Sequence, residues 1–279
     1  MRGGGIGVSE SASPTTFEVD DGAAPADDPR DPFGLDLDLR HRVTPAFRFL
    51  HDRYWRIEVG GAQHVPATGP VLLVANHSGA LPFDGAMVVT AVDGLRRRVV
   101  RFLYDRFVEA IAPLDAFYRK MGGVTASREN AQALLRMGEP VLLFPEGISG
   151  VAKPFSERYR LRPFSAGFAR LAMQHDVPVV PVAIVGAEEI YPLVGRAEAL
   201  GKAIGMPYLP ITPFFPLLGL LGALPLPTKW FIHFGKPLRL SSGGDETYIR
   251  ARGEAIRVRR HLQAMVTRLK NRRRSVFFG

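Results

Sequence analysis

From residue 41 onward, short unbroken apolar runs alternate with stretches whose apolar residues return every three or four positions. The runs WRIEV (55–59), VLLVAN (71–76), VLLFPEG (141–147), VPVVPVAIVG (177–186) and WFIHFGKP (230–237) have strand length, and most of them end in turn residues. VPVVPVAIVG is expected to be interrupted at Pro181. The stretches VTPAFRFLHDRYW (43–55), SRENAQALLRMGEP (127–140) and SAGFARLAMQH (165–175) have helical spacing, and a helix is expected to open at Asp84. Ser127 is a suitable N-cap and Gly138 a suitable stop. Continuous apolar strands suit a sheet buried on both faces, and strands alternating with helices predict an α/β layered domain. Toward the C-terminus, Ala255, Val258, Leu262, Met265, Val266 and Leu269 fall on one stripe of a long helix whose other faces are rich in arginine. That stripe is expected to pack on the domain.

The first 40 residues follow neither period. They carry nine Asp and Glu against three Arg, a net charge of −6, so the remainder of this +9 chain carries +15. Rich in Pro, Ala and Asp, they are expected to form a disordered acidic tail, with the folded domain over 41–279. Their GGGIG string follows no strand, so it lacks the setting of a phosphate cradle. The basic remainder points to an anionic partner: nucleic acid, a phosphorylated substrate or a lipid surface. No nucleic-acid motif is recognisable, so no nucleic-acid partner is expected. The absence of cysteine excludes disulfides, thiolate metal sites and cysteine nucleophiles. The seven histidines are scattered, and no metal site or cofactor is expected. There is no apolar h-region at the N-terminus, so a cytoplasmic protein is the simplest expectation.

Candidate chemistry gathers at the strand ends, where open α/β sheets build their sites. VLLVAN delivers Asn76, His77 and Ser78 to a turn, with Asp84 seven residues past the histidine. Histidine is suited to proton transfer near neutral pH, and a carboxylate can fix its tautomer. His77 and Asp84 are therefore a candidate base and orienting group; a polar turn closing a strand is the other reading of the same residues. The next apolar run ends in Pro145, Glu146 and Gly147. Between them, MGGVTASREN places Arg128 at a helix start behind two glycines. No G-x-S-x-G elbow, H-E-x-x-H pair or Walker lysine accompanies these groups. A base without a protein nucleophile implies that the substrate supplies the attacking atom.

NHSGALPFDGAM, GGVTASREN, FPEGISG followed by a lysine and RYRLRPFSAGFARLA, and VPVVPVAIVGAEE occur in the order of the four blocks of the glycerolipid acyltransferases. The chain thus resembles the lysophosphatidate and glycerol-3-phosphate acyltransferase superfamily over roughly residues 43–237. Its blocks are most similar to those of the branch related to monoacylglycerol and diacylglycerol acyltransferases. The resemblance implies a layered α/β domain with a mainly parallel or mixed central sheet flanked by helices. It implies His77 as the base that deprotonates an acceptor hydroxyl, Asp84 as its orienting carboxylate, and acyl-CoA or acyl carrier protein as donor. It further implies substrate contacts for Asn76, Arg128 (an acceptor phosphate), Glu146 and Gly147 (the acceptor pocket), and Pro178 and Pro181 (the donor). One departure stands out. The common pattern has aspartate five residues after the histidine, where this chain has Pro82. A hydrolase or transacylase on the same base, and a non-catalytic lipid-surface protein, are the competing functions.

Two further features bear on partners. RYRLRPF (158–164) interleaves arginine with apolar residues and is a candidate for CoA phosphates or headgroups, an exposed strand or turn being the other reading; LRRRVVRFL (95–103) is similarly basic without a clear place. From Lys202 to Lys229 no charged residue intervenes, yet six prolines forbid a regular spanning helix. An interfacial lip over the acyl pocket is expected there. With basic residues such as Arg272, Arg273 and Arg274, it suggests peripheral residence on the anionic inner face of a membrane.

Overall fold

A computed structural model describes residues 31–78, 82–203, 208–240 and 248–279. The expected tail up to residue 30, its GGGIG string and the turn at 79–81 lie outside the described residues. In chain order the elements are α1 (Leu37–Phe49), β1 (Glu58–Gly60), β2 (Val71–Ala75), α2 (Phe83–Arg96), β3 (Arg101–Tyr104), α3 (Ala112–Lys120), β4 (Gly123–Thr125), α4 (Arg128–Arg136) and β5 (Pro140–Leu143). There follow α5 (Ile148–Val151), α6 (Gly167–Gln174), β6 (Val179–Val185), β7 (Gly195–Ala197), α7 (Glu198–Ala203), β8 (Leu209–Ile211), β9 (Phe231–Phe234) and α8 (Tyr248–Arg272).

Seven strands form the central sheet in the order β1-β9-β6-β2-β5-β3-β4, and β7 pairs with β8 in a separate hairpin. All neighbours in the large sheet run parallel except β6 and β9, as expected for a mainly parallel or mixed sheet. The alternation along β2 shows how both faces are filled. Val71, Leu73 and Ala75 join Met87, Val88, Ala91 and Val92 of α2. Leu72 and Val74 join the apolar faces of α4, α6 and the start of α8. The α8 stripe packs as expected, its later half (Leu262, Met265, Val266, Leu269) lying on Ala183 and Val185 of β6.

Four details differ from the sequence-based expectations. The fold begins before residue 41: Asp36 caps α1 by accepting from the Leu39 N–H, and Asp31 pairs with the buried Arg101 at 2.6 Å. Two strands of the central sheet, β3 and β4, were hidden, one by its arginine and the other by its three-residue length. Arg101 can sit inside β3 because Asp31 and the Gly122 carbonyl satisfy its guanidinium. Neighbouring Arg98 is spent on the carbonyls of Pro66, Gly69 and Gly138. Finally, β6 runs through Pro181 without a break. The Pro181 carbonyl accepts from Gly235 at 2.8 Å, and its missing N–H falls on the same side, just past the end of β9.

Candidate active site

Val71–Ala75 is buried throughout, and the chain leaves it at the end of the sheet where β5, β3 and β4 also terminate. His77 stands there, directly after Asn76. Its Nδ1 lies 2.7 Å from Oδ2 of Asp84, in the first turn of α2. Asp84 is sealed from solvent and also accepts from the N–H groups of Ser78 (2.8 Å) and Gly85 (2.7 Å). Three partners on one carboxylate hold it in place. The imidazole ring stacks on Phe144 at 4.1 Å between centroids, and its side chain keeps 18% of its surface exposed. Carboxylate and ring packing thus fix the tautomer and the plane, while Nε2 makes no hydrogen bond among the described residues.

His77 lines a cavity of about 1000 Å³. Its walls are mostly apolar: Phe83, Ala86 and Val89 of α2, Phe102 and Tyr104 of β3, Phe107, Val108, Phe117 and Tyr118. A polar group at one margin comprises Arg40, Thr44, Thr90 and Asp93. Asp84 and Asp93 are nine residues apart on α2, about 14 Å at 1.5 Å per residue, so the cavity follows most of that helix. Arg40 pairs with Asp93, whose carboxyl is nevertheless pushed above its ordinary value by burial. Burial, aided by the negative charge of Asp84, raises the Tyr118 hydroxyl to about 12, so it stays protonated as a donor facing the cavity.

The candidate residues separate into two sets. Arg128 and Gly147 line the cavity with His77. Arg128, exposed at the first position of α4 behind the Ser127 cap, donates to Gln174 at 3.0 Å. Gly147 has φ 56° and ψ −149°, a conformation open essentially to glycine alone, so backbone geometry also demands it. Asn76, Glu146, Pro178 and Pro181 are not part of the cavity wall. Asn76 is buried, and its amide exchanges two hydrogen bonds with the backbone of Ile184, clamping β2 to β6. Pro181 is buried inside β6. Pro178 precedes β6, whose parallel register puts it at the opposite end of the sheet from His77.

Glu146 acts through the backbone. Its two oxygens accept from the N–H of His77 (3.0 Å) and of Arg162 (2.6 Å), which ties the His77 peptide to the turn after β5. Lys153 and Glu188, which sequence reasoning missed, complete this arrangement. Lys153 Nζ lies 3.5 Å from Glu146 and 2.9 Å from Glu188, with all three side chains almost fully buried. Glu188 in turn accepts from the Tyr159 N–H at 2.6 Å, and burial holds its carboxyl above the ordinary range. The RYRLRPF segment is therefore anchored through its backbone to buried carboxylates. The signal was present in the third and fourth blocks, a lysine after FPEG and paired acids after the last strand, but lysine and glutamate usually mark a surface. Gly150 lets α5 approach: a Cβ there would lie 2.9 Å from the Cβ atoms of both His77 and Glu146.

No described residue of the stretch 202–229 belongs to the cavity wall. Among the described residues no group of three or more His, Cys, Asp or Glu is placed to hold a metal ion, and no helix is long and apolar enough to cross a membrane.

A buried carboxylate behind a histidine with an uncommitted nitrogen, set in an apolar cavity at the strand ends of an α/β sheet, is an arrangement suited to base catalysis on apolar substrates. Comparison with known proteins narrows it. The Acyltransferase family model matches residues 56–185. An uncharacterized protein of Mycobacterium tuberculosis is 38% identical over 257 residues, 89% of this chain and 72% of that protein. The 1-acyl-sn-glycerol-3-phosphate acyltransferase alpha of Mus musculus is 30% identical over 150 residues, 51% of this chain and 50% of its own length. Among solved structures, the 1-acyl-sn-glycerophosphate (LPA) acyltransferase PlsC from Thermotoga maritima superposes with a TM-score of 0.54 at 19% identity, covering 85% of this chain and 84% of that one. The chain belongs to the glycerolipid acyltransferase family, and it is an enzyme of the phospholipid/glycerol acyltransferase type.

Proposed function

We propose that this enzyme moves a fatty acyl group from acyl-CoA or acyl carrier protein to a hydroxyl of a glycerolipid-like acceptor, with His77 as general base. The observation that carries this reading is the dyad: Nδ1 of His77 held 2.7 Å from buried Asp84, with Nε2 uncommitted at an apolar cavity. In the reaction, Nε2 takes the proton of the acceptor hydroxyl as its oxygen attacks the thioester carbonyl. Asp84 stabilises the imidazolium that forms. Collapse of the tetrahedral intermediate breaks the carbon–sulfur bond, and the departing thiolate recovers the proton from Nε2. The products are an ester and a free thiol. The apolar wall along α2 suits the acyl chain, and Arg128 at the cavity edge suits a phosphate on the acceptor. A lipid acceptor and a water-soluble donor together favour work at the inner face of a membrane.

Incubation with radiolabelled acyl-CoA and a panel of lysophospholipids, glycerol 3-phosphate, diacylglycerol and simple alcohols tests the reading. Labelled ester lost in His77→Ala is the expected result. Fatty acid released without ester would indicate a hydrolase, ester formed from lipid donors without CoA a transacylase, and no turnover with any acceptor a non-catalytic protein.

A further inference from the structure

The connection from β6 to β9 leaves and returns at one end of the sheet, since Val185 closes β6 opposite Phe231, which opens β9. Strand β6 also lies beside β2, parallel to it, about 5 Å away. The connection therefore rises from the same end of the sheet as His77. Its base is fastened to the core: Tyr54 donates to the Pro225 carbonyl, Trp55 to Leu226, and Tyr191 to Ala223. Its tip turns apolar side chains outward. Leu217 is 82% exposed and Leu221 72%, with Phe214, Leu218 and Leu224 also exposed. No charged residue occurs from 203 to 228 to solvate them.

A second apolar element, distant in sequence, meets the base of this connection. The chain after α8 returns to the start of β9, where the Val276 carbonyl accepts from the Lys229 N–H at 2.8 Å. Arg56 bridges the two by donating to the carbonyls of Pro227 (3.0 Å) and Phe277 (2.6 Å). Phe278 is 90% exposed, and the exposed Arg272 and Arg274 lie four to six residues before it in the chain. Leucines and phenylalanines at the tips of irregular loops, edged by arginine, match the depth profile of an anionic bilayer: apolar below the headgroups, cationic at their level. A patch of this kind needs an occupant.

We propose that the 213–224 loop and Phe277–Phe278 form one insertion surface that seats the His77 end of the sheet on an anionic phospholipid bilayer. This rests on the reading that the acceptor is a lipid, which would then meet the active-site end without crossing water. Arg273 takes no part, because it is committed to an ion pair with buried Glu189 rather than to the surface.

Vesicles of phosphatidylglycerol and phosphatidylcholine provide the test, in co-sedimentation with the full chain over a salt series. The wild-type protein is expected to sediment at low salt and to retain a bound fraction at high salt. Leu217→Glu with Leu221→Glu should weaken binding at least about ten-fold and remove the salt-resistant fraction, since two apolar anchors become charges. The thermal midpoint and turnover of a water-soluble acceptor should stay unchanged. Phe278→Ser should act in the same direction. Arg272→Glu with Arg274→Glu should reduce only the salt-sensitive part. Trp55 and Trp230 are both fully buried, so Leu217→Trp adds a clean reporter, and lipids brominated on their acyl chains should quench it. Unchanged sedimentation of the double glutamate variant would overturn the proposal, as would an indole in Leu217→Trp that brominated lipid fails to quench. So would a dimer in analytical ultracentrifugation that the double glutamate variant disperses, since the patch would then belong to a second copy. Neither binding readout requires turnover, so bound but inactive protein would count against the acyl-transfer reading alone.

Discussion

Two polar clusters stand at neighbouring strand ends, and their histidine and carboxylates are used in opposite ways. The His77–Asp84 pair spends all but one of its capacities internally and presents the remaining one, Nε2, to the cavity. The Glu146–Lys153–Glu188 cluster spends its capacities on backbone and on itself, out of contact with the cavity. Both contain buried charge, and both occur in stretches that resemble acyltransferase blocks. Chemistry requires an uncommitted atom at a site large enough for substrate, and only the first cluster has one. The second frames the first: Glu146 accepts from the peptide N–H of His77 itself.

The largest expected effect breaks the silent cluster. Lys153→Met leaves two buried carboxylates without their cation and should lower stability by about 3–5 kcal/mol in urea unfolding. A loss below about 1 kcal/mol, the scale of an exposed pair, with activity abolished, would move Lys153 into the chemistry and erase the contrast. Next comes the reactive cluster. His77→Ala should cut turnover by at least about 10²-fold, roughly 2.7 kcal/mol of barrier, with the thermal midpoint nearly unchanged. Asp84→Asn should slow turnover in the same direction while also loosening the turn that its carboxylate holds.

Gly150→Ala sharpens the boundary between the clusters. The added methyl would press on His77 and Glu146 together, so it should cost about 1–3 kcal/mol of stability and lower turnover as well. Loss of stability alone would mean that the ring of His77 is positioned by Asp84 and Phe144, independently of Glu146. A smaller effect is expected at the cavity edge: Arg128→Ala should raise KM for a phosphorylated acceptor and leave urea unfolding within about 0.5 kcal/mol. Unchanged KM across the acceptor panel would remove it from the site.

The smallest effect lies outside both clusters. Burial holds His51 below its ordinary value of 6.5, against the opposing pull of Asp52. The unfolded chain therefore takes up a proton first as pH falls below about 6.5, and stability present above that pH is lost toward the lower folded value. His51→Gln should flatten the dependence of the thermal midpoint on pH between about 7 and 5, relative to the wild-type protein.

Much of this was legible beforehand for identifiable reasons. Periodicity located β2, β5, β6, β9 and α8 because burial on one face or two imposes a period on the residues themselves. It missed β3 because Arg101 reads as solvent-facing until Asp31, seventy residues away, is brought to it. Asp31 and Asp36 were assigned to the acidic tail for the same reason, since their carboxylates show a partner and a cap only in the fold. Arg273 was read as a surface cation in a basic run, and only the fold pairs it with Glu189.

By itself, the sequence determined the layered class, the apolar stripe of α8, and the residue types able to carry base catalysis at the end of β2. These are local or periodic properties, set by what each residue can bury or titrate. Only the tertiary structure decided that Asn76 and Glu146 are spent on backbone while His77 is not, that the apolar 213–224 loop turns its leucines outward, and that the chain end returns to the start of β9. Those outcomes depend on which distant groups meet. A side chain's composition states how many hydrogen bonds or contacts it can make; its neighbours in space decide whether any remain for a substrate or a membrane.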